Sequence, residues 1–236
     1  MIRRWVIIFL IGVSGRAGYA QSHYNMWMRT TLGYSIHEKV SVETEFQHRR
    51  QNGYENVNMF RKALMYSFRN WWHYQHNPQL KISFSPFAYY QHYPIIREQK
   101  DCDEGYRSEI RVSTAAEYRH PLSEKFSLLN RGAAEYRIFE KKPVPVSRAR
   151  YRLGISYSIH DNVKLIVYDE LLVNLSGVKT GHLLDHNRSG FQVEYEIFQG
   201  FRLDIGYIHI NRLPLTGKPL LRENNLVVNI GYKINR

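Results

Sequence analysis

The chain has 236 residues and is strongly basic, with 33 Lys and Arg against 21 Asp and Glu and a formal net charge of +12. Basic proteins often bind nucleic acid, but here the cationic residues are scattered at strand spacing and accompany no nucleic-acid motif. We therefore expect no nucleic-acid partner. The single cysteine, Cys102, excludes an intrachain disulfide.

The first residues of the chain are typical of a secretory signal peptide. Arg3 and Arg4 give a positive start, the segment from Trp5 to Val13 is apolar, and small residues precede an expected cleavage after Ala20. The apolar segment is too short for a spanning helix, which needs about 20 residues. We expect residues 1–20 to be removed and residues 21–236 to form a single domain.

The rest of the chain alternates between apolar and polar residues, in segments near the length of a tilted barrel strand. The first segment, Met26 to Ile36, places Trp27 and Arg29 on a polar face and mostly apolar residues on the other. Successive side chains of a strand point to opposite faces, so this segment predicts a strand with two different sides. A tight turn at residues 37–39 leads into the next strand, Val40 to Arg49.

The same alternation predicts four further hairpins and a closing strand. These strands cover residues 60–68 and 80–90, 106–120 and 126–139, 147–159 and 163–174, 187–197 and 201–211, and 226–234. The aromatic residues 71–74 are assigned to a connection between strands. Residues 163–174 are the least regular strand, because its alternation places Asp169 beside Val167 and Leu171. A bulge there would return Glu170 to the polar face.

Short turns mostly alternate with longer polar connections along the chain. Outer-membrane barrels show this asymmetry, with short periplasmic turns and long external loops. The pattern therefore predicts an all-β, antiparallel, up-and-down transmembrane β-barrel. About eleven strands are recognisable, whereas single-chain bacterial barrels have an even number. We accordingly expect about twelve strands, with ten as the alternative.

Several short patterns occur in an order that resembles a known family. They are Trp27, Glu43 and Glu45 followed by Arg49, the runs 106–111, 148–152 and 185–188, and the Gly-Tyr pairs at 206–207 and 231–232. The chain is similar to an uncharacterised bacterial family, the domain of unknown function 2490, which is treated as an outer-membrane β-barrel. The resemblance implies a location in the bacterial outer membrane, with lipid and the outer-membrane assembly machinery as partners. It implies no catalytic residues.

The polar faces of the predicted strands contain the residues that we expect to line the lumen. They are Arg107, Arg111, Arg131, Arg137, Arg148, Arg150, Arg152, Arg188, Glu43, Glu45, Glu109, Glu117, Glu135 and Glu194. Opposite charges on adjacent strands stabilise a sheet, so the first interpretation is a structural or transport-type barrel filled by Arg–Glu pairs. The second is a narrow anion-preferring pore for acidic solutes, centred on Arg148, Arg150 and Arg152.

Two further functional classes remain as alternatives. An outer-membrane lipid hydrolase would have to use His186 and Ser189, which an extended strand places on opposite faces unless a bulge intervenes. A secreted, soluble, ligand-binding β-barrel is the other alternative. Zinc-ligand spacings and glycine-rich phosphate loops are absent from the sequence, so we expect no enzyme activity, metal or cofactor.

Overall fold

The computed structural model describes residues 22–212 and 221–234, which form one closed barrel of eleven strands. The expected signal peptide and its cleavage site lie outside the described residues. The strands are β1 (Ser22–His37), β2 (Val40–Gln51), β3 (Lys62–Gln75), β4 (Leu80–His92), β5 (Arg107–Pro121), β6 (Phe126–Phe139), β7 (Val146–His160), β8 (Val163–Asn174), β9 (Leu184–Phe198), β10 (Phe201–Arg212) and β11 (Leu221–Ile234). None of the helical segments in the described residues is long and apolar enough to cross a membrane.

The strands pair antiparallel in chain order, except where the barrel closes. There β1 and β11 run parallel, with Met26 opposite Leu226 and Tyr34 opposite Ile234. An up-and-down barrel with an odd number of strands must close in this way, because its first and last strands point in the same direction. The prediction of an all-β barrel is confirmed. The expected count of twelve strands, or ten, is wrong for the described chain, which has eleven.

The two-residue alternation separates the side chains by face. Trp27 and Glu45 point inward and are 3% and 8% exposed, whereas Leu32 and Phe46 on the same two strands point outward and are 53% and 49% exposed. Because one face of every strand meets the interior and the other meets the surroundings, the barrel has a charged inside and a largely apolar outside.

The two ends of the barrel differ in the length of their connections. Tight turns at residues 38–39, 161–162 and 199–200 all lie at one end, which we call the turn end. Gly200 has a φ of +83°, and a Cβ there would lie 2.4 Å from the carbonyl oxygen of Lys233, so this turn requires glycine. Long connections, such as residues 93–106, lie at the opposite end, the loop end.

The aromatic residues 71–74 belong to β3 and not to a connection. Trp71 and His73 face inward, while Trp72 and Tyr74 are half-exposed on the outer face. An aromatic side chain suits both faces of this wall, because it can stack on inward arginines or join the apolar exterior. Residues 71–74 therefore show no alternation of apolar and polar residues. For this reason the predicted strand ends before them, although β3 continues through them.

The bulge that would have returned Glu170 to the polar face is absent, and Glu170 is completely buried on the inner face without it. β8 and β9 pair without interruption from Val163 to Leu172, and their register shifts only beyond that point. Asp169 therefore does face outward. Its carboxylate accepts hydrogen bonds from Asn187 Nδ2 and Ser189 Oγ, each at 2.7 Å. These two donors on β9 compensate the charge on an otherwise apolar part of the outer face.

Candidate functional site in the lumen

A cavity of about 750 Å³ extends along the inside of the barrel. Lys81, Glu117 and Gly231 line it near the turn end, and Lys142 and Val178 line it near the loop end. Because these residues belong to opposite ends of the strands, the cavity follows most of the length of the wall.

Cationic side chains outnumber acidic ones on the wall of this cavity. Sixteen Lys and Arg line it, namely Arg29, Arg49, Arg69, Lys81, Arg107, Arg111, Arg131, Arg137, Lys141, Lys142, Arg148, Arg150, Arg152, Arg188, Arg202 and Arg212. Seven acidic residues line it, namely Glu43, Glu45, Glu117, Asp185, Glu194, Asp204 and Glu223. Glu109, Glu135 and Glu170 are buried in the same wall, and with them included the interior still has a clear excess of positive charge.

The structure brings most of the predicted lumen residues to this cavity. All eight of the predicted arginines line it, as do Glu43, Glu45, Glu117 and Glu194. Glu109 and Glu135 instead lie beneath the arginines and are 1% and 4% exposed. These two glutamates contact guanidinium groups and not the open space.

The predicted lumen residues leave out several inward charged residues of the described strands. Among them, Lys81, Glu170, Arg202 and Asp204 lie inside predicted strands, whereas Arg69, Asp185, Arg212 and Glu223 lie outside the predicted strand bounds. Arg69 directly follows the predicted end of its strand, and three others lie at or beside segments assigned to connections. Extending the strands to their full length would give the inward positions of Arg69, Arg212 and Glu223 by the same alternation. Asp185 lies where the register of β8 and β9 shifts, so it lines the cavity next to His186 against the simple alternation. Glu170 lies inside the predicted strand 163–174, where the outward charge of Asp169 obscures the pattern.

Glu109 and Glu135 begin an ion-pair ladder that crosses neighbouring strands. Glu109 on β5 accepts hydrogen bonds from Arg111 Nε at 2.8 Å and from Arg137 Nε at 2.7 Å. Glu135 on β6 accepts from Arg111 Nη1 at 3.3 Å and from Arg148 Nε at 2.8 Å on β7. Each carboxylate is thus shared by arginines of two strands, and this arrangement ties the strands together through their side chains.

Glu170 continues the ladder on β8. Its carboxylate lies 2.7 Å from Arg150 Nη2, 3.3 Å from Arg152 Nη2 and 3.5 Å from Arg188 Nη1. Arg150 also donates through Nη1 to Glu135 at 2.8 Å. The three arginines that the sequence placed at the centre of a pore therefore all contact glutamates, while their side chains still border the cavity.

Arg49 and Arg69 face the cavity without a carboxylate partner among the described residues. Arg49 donates to the side-chain oxygen of Gln47 at 2.8 Å, and its Cζ lies 3.5 Å from the centre of the Trp27 ring. Arg69 has its Cζ 4.8 Å from the centre of the Trp71 ring. Aromatic faces attract guanidinium groups, so the rings hold both arginines in place.

The long connection 93–106 folds against the wall at the loop end. Gln51 Nε2 donates to the carbonyl of Pro94 at 2.8 Å, and the backbone N–H of Ile96 donates to Gln51 Oε1 at 3.3 Å. Ile96 is buried, and Tyr93 and Ile95 line the cavity. This connection consequently narrows the mouth of the lumen.

His186 and Ser189, the hydrolase candidates, lie on opposite sides of the wall. His186 is 1% exposed and accepts a hydrogen bond from Arg188 Nε at 2.9 Å on the inside. Ser189 is exposed on the outside, where it donates to Asp169. The two side chains cannot act together on one substrate. The described residues also contain no group of three or more His, Cys, Asp or Glu arranged to hold a metal.

Comparison with known proteins identifies the family and the fold. The profile of a family described as "Protein of unknown function (DUF2490)" matches residues 24–218, which confirms the resemblance. No curated protein matches the chain.

Three solved structures resemble the barrel. The translocator domain of the autotransporter NalP from Neisseria meningitidis has a TM-score of 0.51 and 11% identity, over 86% of this chain and 77% of that one. A NanC porin has a TM-score of 0.47 and 10% identity, over 87% and 99% of the two chains. A bacterial polysaccharide outer membrane secretin has a TM-score of 0.48 and 13% identity, over 86% and 67%. At these identities the likeness concerns the fold alone.

Proposed function

Because this chain belongs to the DUF2490 family of proteins of unknown function, we propose a function from its own lumen: a transport-type outer-membrane β-barrel that favours small anionic solutes. The observation that carries the proposal is the charge of the lumen, where sixteen cationic side chains and seven acidic ones line one elongated cavity. Arg and Lys on the wall of a pore attract anions and repel cations.

The outer surface supports a location in a membrane. Large apolar side chains on the outward face are half-exposed, among them Leu32, Phe46, Ile155 and Val167. Soluble proteins rarely expose a contiguous apolar surface of this extent, whereas a barrel wall in lipid requires it. The tight turns at one end and long connections at the other also fit an outer-membrane barrel. Heat-modifiable gel mobility in the outer-membrane fraction is the expected result, and release by osmotic shock would instead support the secreted, soluble alternative.

The ion-pair ladder supports a competing, purely structural role for many of these charges. Arg148 and Arg150 are almost fully paired with buried glutamates, so their net field in the lumen is reduced. The anion preference must then come from the cations outside the ladder. At the loop end these include Lys141 and Lys142, which have no carboxylate partner among the described residues.

The deciding experiment is conductance of the folded protein in a planar bilayer under a KCl gradient. We expect a reversal potential of the sign that indicates chloride preference. The double variant Lys141→Gln/Lys142→Gln should reduce this preference, because both lysines line the mouth. Lys125→Gln is the matched control, since Lys125 lies in an exposed turn at the opposite end, outside the cavity lining. Absence of current from correctly folded protein would reject transport and leave the structural role.

A further inference from the structure

We propose that the lumen contains a discrete binding site for the carboxylate or phosphate group of a small solute, centred on the guanidinium of Arg69. The inference rests on the proposed function in one respect, since it takes the lumen to be accessible to solutes. It goes beyond the proposed function by naming Arg69 as the residue that binds the solute and a carboxylate or phosphate as the group that is bound.

Arg69 is a buried charge that forms no ion pair with a carboxylate among the described residues. It is 6% exposed, and its Nε and Nη2 atoms are buried with no hydrogen-bond partner among the described residues. Glu45 lies directly opposite on β2, yet its ion pair is with Arg29, at 3.6 Å. A buried ion whose partner is missing is strongly unfavourable, whereas a bound anion would compensate it.

Aromatic rings hold the guanidinium and leave its hydrogen-bonding edge unused. The Cζ of Arg69 lies 4.8 Å from the centre of the Trp71 ring and 5.5 Å from that of Tyr90. Ring contacts of this kind involve the guanidinium and the π face, and they consume none of its N–H donors. The planar fork of N–H groups matches the two oxygens of a carboxylate, or two oxygens of a phosphate.

The neighbouring charges also favour an anion at this place. Arg111 lies over the same Tyr90 ring, with its Cζ 4.1 Å from the centre. The carboxylates near it, Glu109 and Glu135, are already shared within the ladder. Glu135 also attracts Arg69 at longer range, but it forms no ion pair with it. The cavity volume of about 750 Å³ is within the range of small-molecule sites.

The test is a binding titration of the folded full-length barrel, followed by tryptophan fluorescence, because Trp71 contacts the proposed site. Glucuronate and glucose form a matched pair that differs by the carboxylate, and inorganic phosphate is the second anionic probe. We expect a saturable change with at least one anion and none with glucose. Saturation by glucuronate alone assigns a carboxylate site, and saturation by phosphate alone assigns a phosphate site. Equal responses to glucuronate and glucose, or no saturable response to either anion, would overturn the proposal.

Variants connect the binding to Arg69. Arg69→Gln should weaken the binding about tenfold or more, the effect of losing charge-assisted hydrogen bonds. Arg69→Lys should give a smaller loss, because it keeps the charge and removes the fork. Arg119→Gln makes the same change of charge on β5, at an exposed residue outside the cavity lining, and should bind like the wild type. Wild-type affinity in Arg69→Gln would refute the site.

Two further measurements, gel mobility and current, distinguish a loss of binding from a failure to fold and from an absence of transport. Heat-modifiable gel mobility identifies the folded protein, and if Arg69→Gln does not fold, the comparison of Arg69→Lys with Arg119→Gln decides the question. Anion-selective current with no saturable binding would reject this site and leave the proposed function intact. Saturable, Arg69-dependent binding without any current would reject transport and retain the site.

Discussion

Arg150 Nη2 lies 2.7 Å from Glu170 Oε1 on the neighbouring strand, and Nε of the same guanidinium donates to that oxygen at 3.2 Å. Glu170 is completely buried, so the pair is removed from bulk solvent at the centre of the wall. Because Arg150 also donates to Glu135, one side chain joins β6, β7 and β8. The arginines of this face therefore brace the barrel in addition to lining its cavity.

Glu135→Gln is expected to lower the free energy of unfolding by about 3–5 kcal/mol, because it leaves buried arginines without their shared counterion. Urea unfolding in detergent micelles or lipid vesicles measures the change. The control, Glu43→Gln, alters a cavity-lining glutamate that has no ion pair within 4.0 Å among the described residues, and it should cost less than about 1 kcal/mol. Equal losses in the two variants would contradict a bracing role for the ladder.

Anion preference should fall as the salt concentration rises. The screening length decreases from about 10 Å at 0.1 M to about 3 Å at 1 M, so the field of the cationic wall reaches less of the lumen. Reversal potentials measured at a fixed KCl ratio and increasing mean concentration should move toward zero. A permeability ratio that does not change with salt would show that the preference does not come from this field.

The parallel seam predicts a specific disulfide. In a Cys102→Ser background, the pair Leu32→Cys and Tyr232→Cys should cross-link on oxidation, because these residues are directly opposite across β1 and β11. Non-reducing gels of the unfolded protein detect the link.

The control for this cross-link is Leu32→Cys with Ile230→Cys, which is displaced by two residues along β11 and should link poorly. A twelfth strand between β1 and β11 would separate the first pair by about twice the 4.8 Å strand spacing and prevent its formation. Failure of the first pair would thus argue against closure by eleven strands.

Because the carboxylate of Asp169 faces outward, we expect two variants of this site to differ in their free energy of unfolding in lipid. Asn187→Leu should be more destabilising than Asp169→Leu, because it leaves an ionised group on the outer face with one donor fewer. Asp169→Leu removes that group altogether and leaves neutral side chains. Unfolding of both variants in lipid vesicles tests the order, and the reverse order would mean that Asp169 itself stabilises the outer face.

The alternation of apolar and polar residues is sufficient to predict most of the strands and the side chains that face inward. The inward positions of Glu43, Arg148 and Arg150 follow from a period of two residues, because a strand has only two faces. Tight turns such as residues 161–162 are equally local, and they indicate which ends of the strands lie together. The same reasoning fails at residues 71–74 because aromatic side chains fit both faces, and that error conceals Arg69.

The alternation in the sequence is sufficient to predict a barrel with arginines and glutamates inside, because the two faces of each strand have different residue types. The closure of eleven strands in a parallel seam is visible only in the folded barrel, because it depends on how the first and last strands meet. The fold also determines which charges pair. Arg150 meets Glu135 and Glu170 because their strands are adjacent and in register, whereas Arg69 faces a glutamate that pairs with Arg29. The register of the sheet therefore leaves Arg69 at the lumen without an ion pair.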